Sequence, residues 1–509
     1  NQEVPLAQPY YYSFTAGQTS AGRPLVEFFA FDSELADPLL TNTFTGTDFS
    51  QFTNVNTLTS QEGLWLQRAM ASSTALWKIP YFHHTPYTSS GEDGEEGFNG
   101  SWMQLPFQQM GASAVLYGHV HNYERLAKAD PAIPALNVPA GTKAIPYLLN
   151  GFGGASPSPF FGPNDPGSQL RYNGDFGAQK VYADQNRITF QFYNRHGGLI
   201  DSYTISQPMT AVAAAAGSAP RVKLINAATG ETVLNFLAYE PGFRGGVRVA
   251  MGDVNGDGAP DIVTTPGPGR PTLVRVFDGV TGRLISQFLP YGPAIRGGAF
   301  VAVGNINGTG PEEIVVGPNV GALPVRAFTG AGAALAGFTP FLPYGASFVS
   351  GVRVAVGDTN GAGPEEIVTA PGAGVASVKV YNAAGVAQLA IDAYGPAWRF
   401  GAFVAVADLD GNGTAELIVS PGGGVQQVRL FNGQTGVAFN QFFPFGPGQV
   451  GPVVVGTVDL DLDGKPDILA ARGRGGPSVV RLFNGRTLGI LKAFPAFPGS
   501  LDGVFLAGV

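Results

Sequence analysis

Val247-Arg248-Val249-Ala250-Met251-Gly252-Asp253-Val254-Asn255-Gly256-Asp257-Gly258-Ala259-Pro260-Asp261-Ile262-Val263-Thr264 reads as two short apolar strands joined by an acidic loop. β-Branched runs bounded by Gly, Pro, Asn and Asp are strand signals. Leu273 to Phe277 and Leu284 to Leu289 add a third and a fourth strand before the pattern starts again. The acidic loops begin at Asp253, Asn305, Asp358, Asp408 and Asp459, spaced by 52, 53, 50 and 51 residues. Four short strands per unit of this length is what a β-propeller blade requires.

A solenoid of stacked strands is the competing architecture, and the ends of the repeat region decide against it. Arg221 to Ile225 and Glu231 to Tyr239 match the last two strands of a blade, and Ala211 to Ala216 sits where a degenerate second strand belongs. The final Gly503 to Gly508 matches a lone first strand. Together they make a sixth blade, whose first strand comes from the C-terminal end and leaves no exposed edge. The expectation for 207-509 is therefore an all-β, six-bladed propeller with C-terminal strand closure.

The loops follow D-x-[DN]-x-[DN]-G-x-x-[DE], which gathers side-chain oxygens at alternate positions around a glycine turn. Oxygen-only donor sets suit a hard cation, and calcium is the natural candidate. An EF-hand would need flanking helices and a glutamate at its twelfth position; here each loop runs straight into a β-rich segment. The copies are unequal. Asp459, Asp461, Asp463 and Asp467 supply four carboxylates; Asp253, Asn255, Asp257 and Asp261 supply three and an amide; Asp408, Asp410, Asn412 and Glu416 are comparable. Asp358, Asn360 and Glu366 are interrupted by Ala362, and Asn305, Asn307, Thr309 and Glu313 carry almost no charge. Three occupied sites, one weak and one empty are expected, all with a structural role. The same residues also make good turns without any ion.

Residues 1-206 follow a different grammar, alternating strands and helices. Leu25 to Phe31, Trp77 to Phe82 and Ala114 to Tyr117 are buried strands; Thr59-Ser60-Gln61-Glu62 opens a capped amphipathic helix; Arg187 to Tyr193 and Leu199 to Ile205 form a hairpin. Four of the five histidines fall in two segments that end strands, Tyr81-Phe82-His83-His84-Thr85-Pro86-Tyr87 and Gly118-His119-Val120-His121-Asn122-Tyr123-Glu124-Arg125. In an extended segment His119 and His121 would project to one side, toward one metal centre.

Composition sets the outer limits. A chain of 509 residues implies two or more domains, and 73 Gly, 40 Pro and 13% charged residues imply many short elements joined by tight turns. A net charge of -8 without a basic cluster argues against nucleic acid as a partner. There is no Cys, so thiolate sites and disulfides are excluded. No run approaches the length of a transmembrane segment. Asn1 is neither an initiator Met nor part of a signal peptide, so a processed product or a fragment is expected.

The repeat resembles the VCBS/FG-GAP-like families, whose loops and period it matches over about 207-509. That resemblance implies calcium in the loops and a module for surface, glycan or protein binding. The histidine segments, with Phe28 to Ser33 and Asn150-Gly151-Phe152-Gly153-Gly154, resemble the calcineurin-like metallophosphoesterases, in particular the purple-acid-phosphatase-like branch. By that resemblance 1-206 is a partial α/β sandwich, the C-terminal portion of a fold that hydrolyses phosphate esters at a dimetal centre of Fe, Zn or Mn. It implies that His84 and His119 bind one metal and His121 the other, while His83 has no counterpart and packs. Asn1 would occupy a metal-ligand position, and Gln2 the position of the family's catalytic histidine. The family's two earlier aspartate segments have no match before residue 77. Asp32, Glu34 and Asp48 are the only nearby acids, and no spacing makes any of them a replacement. Two functions follow: a secreted metal-dependent phosphoesterase carrying a calcium-binding propeller, or a non-catalytic extracellular binding or structural protein with a degenerate phosphoesterase-like domain. The resemblances and the loops place the protein outside the cytoplasm, extracellular, at the cell surface or in the periplasm.

Overall fold

The computed structural model describes residues 11–19, 22–31, 61–90, 104–131, 144–154, 156–160, 163–473 and 475–508. The chain is almost all β and divides into two compact units, Asn1–Ser206 and Gln207–Val509. No described helix is long and apolar enough to cross a membrane.

The first unit is built on a seven-stranded mixed sheet. Its strands are β1 (Tyr12–Gln18), β2 (Pro24–Ala30), β3 (Trp77–Tyr81), β4 (Val115–Tyr117), β5 (Tyr123–Ala129), β6 (Ala144–Asn150) and β7 (Ser168–Tyr172), in the order β1-β2-β3-β4-β6-β5-β7. The central strands β2, β3, β4 and β6 run parallel. A second, antiparallel sheet holds β8 (Gly177–Ala183), β9 (Arg187–Asn194) and β10 (Leu199–Ser206).

Helix α1 (Gln61–Ser72) sends Leu66 and Met70 into a cluster with Phe29, Phe82, Phe107 and Tyr147. A separate cluster joins Val26, Trp77, Ile79 and Leu148 to Ile188 and Phe190 of β9. β9 alternates, with Ile188, Phe190 and Phe192 fully buried, so one of its faces is committed to the core. The Trp77 indole donates to the Asp184 carbonyl at 2.8 Å and fixes this contact.

The described residues show a β-rich unit, and among them no α/β sandwich is formed. Among the described residues α1 is the one helix of the unit. The layer formed with β9 is a β-sheet, because the segment after residue 177 is patterned at period two and turns tightly at Gly197, where φ is +81°.

The second unit contains six small antiparallel sheets. Sheet I is Val247–Gly252, Asp261–Pro266, Val274–Phe277 and Leu284–Phe288. Sheet II has three strands, Ala299–Gly304, Glu313–Pro318 and Arg326–Phe328. Sheet III is Val352–Gly357, Glu366–Pro371, Ser377–Tyr381 and Ala387–Asp392; sheet IV is Ala402–Ala407, Glu416–Pro421, Val428–Asn432 and Ala438–Phe442. Sheet V is Val453–Val458, Asp467–Arg472, Val479–Phe483 and Ile490–Pro495. Sheet VI pairs Val504–Gly508 with Met209–Ala214, followed by Arg221–Asn226 and Thr232–Leu237.

The register of sheet VI sets Thr210 against Gly508 and Ala214 against Val504, so the two ends of the unit share one sheet. First strands of consecutive sheets pack against each other from I to VI, and that of VI packs against that of I. This cyclic order is propeller-like. Second strands such as Glu366–Pro371 are buried at every position. Each fully buried Val, Ile or Leu there is worth about 1.5–3 kcal/mol.

Sheet II lacks the expected fourth strand and keeps only isolated bridges, Val325 with Phe341 and Phe328 with Ala334. Its last segment, Gly330 to Pro340, is Gly/Ala-rich and ends in a residue without an N–H, which weakens strand pairing.

Candidate functional sites

Parallel strands β3 and β4 end side by side, and each continues into a histidine segment. The two segments are zipped together: Phe82 N donates to Leu116 O at 3.2 Å, Gly118 N to His83 O at 3.0 Å, and Thr85 Oγ1 to Gly118 O at 2.8 Å. Three imidazoles meet there. Ring centroids lie 5.3 Å apart for His83 and His84, 5.1 Å for His83 and His119, and 4.9 Å for His84 and His119. His83 Nε2 and His119 Nδ1 are hydrogen-bonded at 3.2 Å.

Two expectations change. His83 is exposed rather than packed, and it engages the ring of His119; absence from a family pattern was a poor guide to where a neighbouring ring goes. Nor is the stretch from Gly118 to Asn122 extended. Val120 N donates back to Gly118 O at 3.0 Å and Asn122 N to Val120 O at 2.8 Å, so His119 and His121 centre successive three-residue turns. His119 has φ +71°, a strained conformation for a side chain of this size. The His121 carbonyl accepts from Ser158 N at 2.8 Å.

The neighbouring residues hold these turns. A Cβ on Gly151 would lie 1.8 Å from the Val120 carbonyl oxygen, so only glycine permits the approach. Glu124, within the second histidine segment, is fully buried and accepts from Ser89 N at 2.7 Å, Thr88 Oγ1 at 3.2 Å and Ser168 Oγ at 2.6 Å. It anchors the chain just after His84. A cleft of about 540 Å³ opens beside His83, lined by Phe14, Phe28, Tyr81, Asn150 and Gln179. Asn1, Gln2, Asp32, Glu34 and Asp48 lie outside the described residues. Among the described residues no Asp or Glu converges with two of the histidines.

The acidic loops of the second unit share one construction. In the loop after the first strand of sheet I, Asp253 Oδ1 accepts from Gly256 N and Oδ2 from Gly258 N, at 2.7 and 2.8 Å. Asp408 and Asp459 repeat this with Gly413 N and Gly464 N, both at 2.8 Å. The last acid of each loop begins the second strand and reaches back: Glu416 Oε2 accepts from Leu409 N at 2.9 Å, Glu366 Oε2 from Thr359 N at 2.9 Å, and Asp467 Oδ2 from Leu460 N at 3.3 Å.

Convergence differs between the copies. Asp408, Asp410 and Glu416 bring one oxygen each within 4.8 Å of one another, as do Asp459, Asp461 and Asp463. Asp467 stays outside the second group, held also by Gly485 N at 3.0 Å. In sheet I the Asn255 amide donates to Asp257 Oδ2 at 3.1 Å and Asp261 Oδ1 at 3.2 Å, so a neutral donor fills the space between the acids. Asn360 donates to Glu366, and Asn307 to Glu313, in the same way. Asn412 instead accepts from Thr414 N at 2.8 Å.

Burial pushes Glu416 up to about 7, with the charges of Asp410 and Asp408 adding to it and the Leu409 N–H opposing. Asp261 is likewise raised to about 7 by burial, then by Asp257 and Asp253. Asp467 rises to about 6 by burial, with Asp461 and Asp459 contributing. Carboxylates crowded in this way are the donor set that a divalent cation relieves.

No protein-family model matches the chain. No curated protein matches it either. Among solved structures it is similar to purple acid phosphatase PPD1 from yellow lupin (Lupinus luteus) seeds, at 22% identity over 40% of this chain and 34% of that chain, with a TM-score of 0.29. Exotype rhamnogalacturonan lyase YesX matches at 16% identity over 64% of this chain and 60% of that one, TM-score 0.34. A protein of unknown function from Bacteroides caccae matches at 14% identity over 59% of this chain and 99% of that one, TM-score 0.41. The chain thus spans about a third of the phosphatase's length, and likenesses at this level carry no assignment of activity.

Proposed function

We propose that the protein is a secreted, metal-dependent phosphoesterase whose histidine cluster holds metal for phosphate-ester hydrolysis. Its second unit is, on this reading, a six-bladed, calcium-stabilised propeller of the VCBS/FG-GAP-like kind that binds a surface glycan or protein. The reading rests on the meeting of two histidine segments at the ends of adjacent parallel strands, beside an open cleft. Ligands of open α/β sheets bind at that end of the strands.

Neutral imidazoles suit Zn, Fe and Mn. His84 and His119 are assigned to one ion and His121 to the other; His83 is assigned to orient His119 through its Nδ1. Bound metal would polarise a phosphoryl oxygen and lower the pKa of an attacking water. The aromatic cleft beside His83 is the proposed seat of the ester's organic group, where Phe14, Phe28 and Tyr81 exclude water from one side.

The second reading, a non-catalytic binding protein, is favoured by one observation. The acidic loops bring three carboxylates together twice, whereas among the described residues none joins the histidines. Metal content by mass spectrometry and hydrolysis of an aryl phosphate separate the two. Retained transition metal and turnover, both lost in His84→Ala and His119→Ala, are expected from the phosphoesterase. Calcium alone, with no hydrolysis, leaves the binding protein.

A further inference from the structure

The second position of the six first strands is held in turn by Arg248, Phe300, Arg353, Phe403, Val454 and Phe505. Phenylalanines from sheets II, IV and VI converge, with ring centroids 6.4 Å apart for Phe300 and Phe403 and 6.3 Å for each of these with Phe505. Alternate sheets thus close a three-ring cluster where the first strands meet. Two guanidinium groups lie against it. Arg248 sits 5.1 Å from the Phe300 centroid and 5.0 Å from that of Phe505; Arg353 sits 5.7 Å from Phe300 and 3.6 Å from Phe403.

Both cations are short of partners. Arg248 Nη2 donates to Asn319 Oδ1 at 3.0 Å, and Nη1 to Gly245 O at 3.4 Å. Arg353 Nη1 donates to Ala402 O at 2.7 Å. A guanidinium carries five N–H donors, and the Nε of each is buried with no hydrogen-bond partner. Arg248 is 9% exposed, and no described carboxylate forms an ion pair with either group. Burial lowers Arg248 to about 10; Arg353 is lowered to about 9 by burial and by the charge of Arg248. A guanidinium does not lose its proton at neutral pH, so the burial of two like charges has to be met by a counter-charge rather than by neutralisation. Aromatic faces attract cations but carry no net charge.

The geometry points to an anion site where the first strands meet, in which a small oxyanion of sulfate or carboxylate size accepts from Arg248 and Arg353. Backbone packs closely against one edge of each guanidinium, where a Cβ on Gly267 would lie 2.0 Å from Arg248 Nη1 and one on Gly422 2.9 Å from Arg353 Nη1, so an oxyanion would have to reach the remaining N–H groups. The site is independent of the histidine cluster and of the acidic loops.

Thermal unfolding of the full chain, with sodium sulfate or sodium acetate titrated against sodium chloride at fixed ionic strength, tests it. A Tm that rises and saturates with sulfate or acetate is expected, and the saturable part is lost in the Arg248→Met/Arg353→Met double variant. That variant is also expected to be at least as stable as the parent in chloride alone, since the unpaired charges are gone. An equal response in parent and variant, or no saturable response to either anion, overturns the inference. Should the variant not fold, selenate soaked into crystals of the unaltered protein replaces it. An anomalous peak touching both guanidiniums is expected, and its absence overturns the site.

Discussion

Lys223 Nζ donates to the main-chain carbonyl of Ala496 at 2.8 Å, joining sheet VI to the turn that leaves sheet V. The same latch occurs around the whole unit. A cation on the third strand of each sheet reaches a carbonyl at the end of the preceding one: Arg275 to Ala238, Arg326 to Pro290, Lys379 to Pro343, Arg429 to Ala393 and Arg481 to Pro444. Lys223 closes the series across residues distant in sequence. Hydrogen bonds to charged groups contribute about 1.5–3 kcal/mol. Lys223→Met is therefore expected to lower unfolding free energy by about 1.5 kcal/mol, matching Arg275→Met, as measured by urea denaturation. An open stack of sheets would lose nothing from Lys223 while still losing from Arg275.

Calcium is expected to raise the Tm of the full chain, and chelation to lower it; at a concentration 100 times Kd the gain is about 2.7 kcal/mol. The gain grows with pH. Glu416, raised to about 7, holds a proton that the ion must displace. Titrations at pH 5.5 and 8 check the sign, with the larger calcium shift expected at pH 8. Asp410→Asn and Asp461→Asn should each shrink it, because each removes one of three converging carboxylates.

Glu312 gives a second pH dependence, with no ion involved. Its carboxyl is raised to about 7 by burial, then by the charge of Glu365. Its Oε2 packs where a Cβ on Gly252 would sit, 2.0 Å away. A folded-state pKa above the unfolded value of about 4.3 means the folded protein holds the extra proton. Stability from this group is complete below the unfolded value and is lost as pH rises through about 7. In chelator, the urea midpoint of the parent should fall from pH 5 to pH 8 relative to Glu312→Gln; parallel profiles would refute this.

Leu462 occupies the place that Gly256, Gly361 and Gly411 hold in the other loops, and shares their left-handed backbone, with φ +57° against +80°, +76° and +77°. That conformation costs a non-glycine residue about 1–2 kcal/mol. Leu462→Gly should stabilise the calcium-free protein by about 1 kcal/mol, less the entropy that glycine adds to the unfolded chain. Differential scanning calorimetry in chelator reads the difference.

The sequence showed what repeats locally. Strand runs, the period and the glycines of the acidic loops were legible because each depends on residues within a few positions. The latches were not, since the acceptor of Lys223 or Arg275 is a carbonyl, which every residue has. Arg248 and Arg353 each interrupt a short apolar strand, and only the cyclic order of the sheets brings them to one phenylalanine cluster. In the first unit the histidine segments were visible, but the turns at His119 and His121 were not, because the Gly151 approach that permits them comes from a strand about thirty residues away. The capped helix at Gln61–Ser72 and the period-two hairpin of Arg187–Asn194 and Leu199–Ser206 were both legible, because each depends on local patterning.

His119 combines backbone strain with the metal-ligand role proposed for it, so two substitutions separate them. His119→Ala removes the imidazole and keeps a Cβ at φ +71°, whereas His119→Gly removes both. Each is expected to abolish transition-metal retention and aryl phosphate hydrolysis if the ring is a ligand. Their stabilities should differ: glycine relieves the left-handed strain, and alanine retains most of it. Urea unfolding is expected to place His119→Gly about 1 kcal/mol above His119→Ala, despite glycine's larger unfolded-state entropy. Strain held at a residue that also supplies a metal ligand is the pattern of a functional turn. Equal stability of the two variants, with metal retained in both, would reduce His119 to a surface turn residue whose contacts with His83 and His84 serve the loop alone.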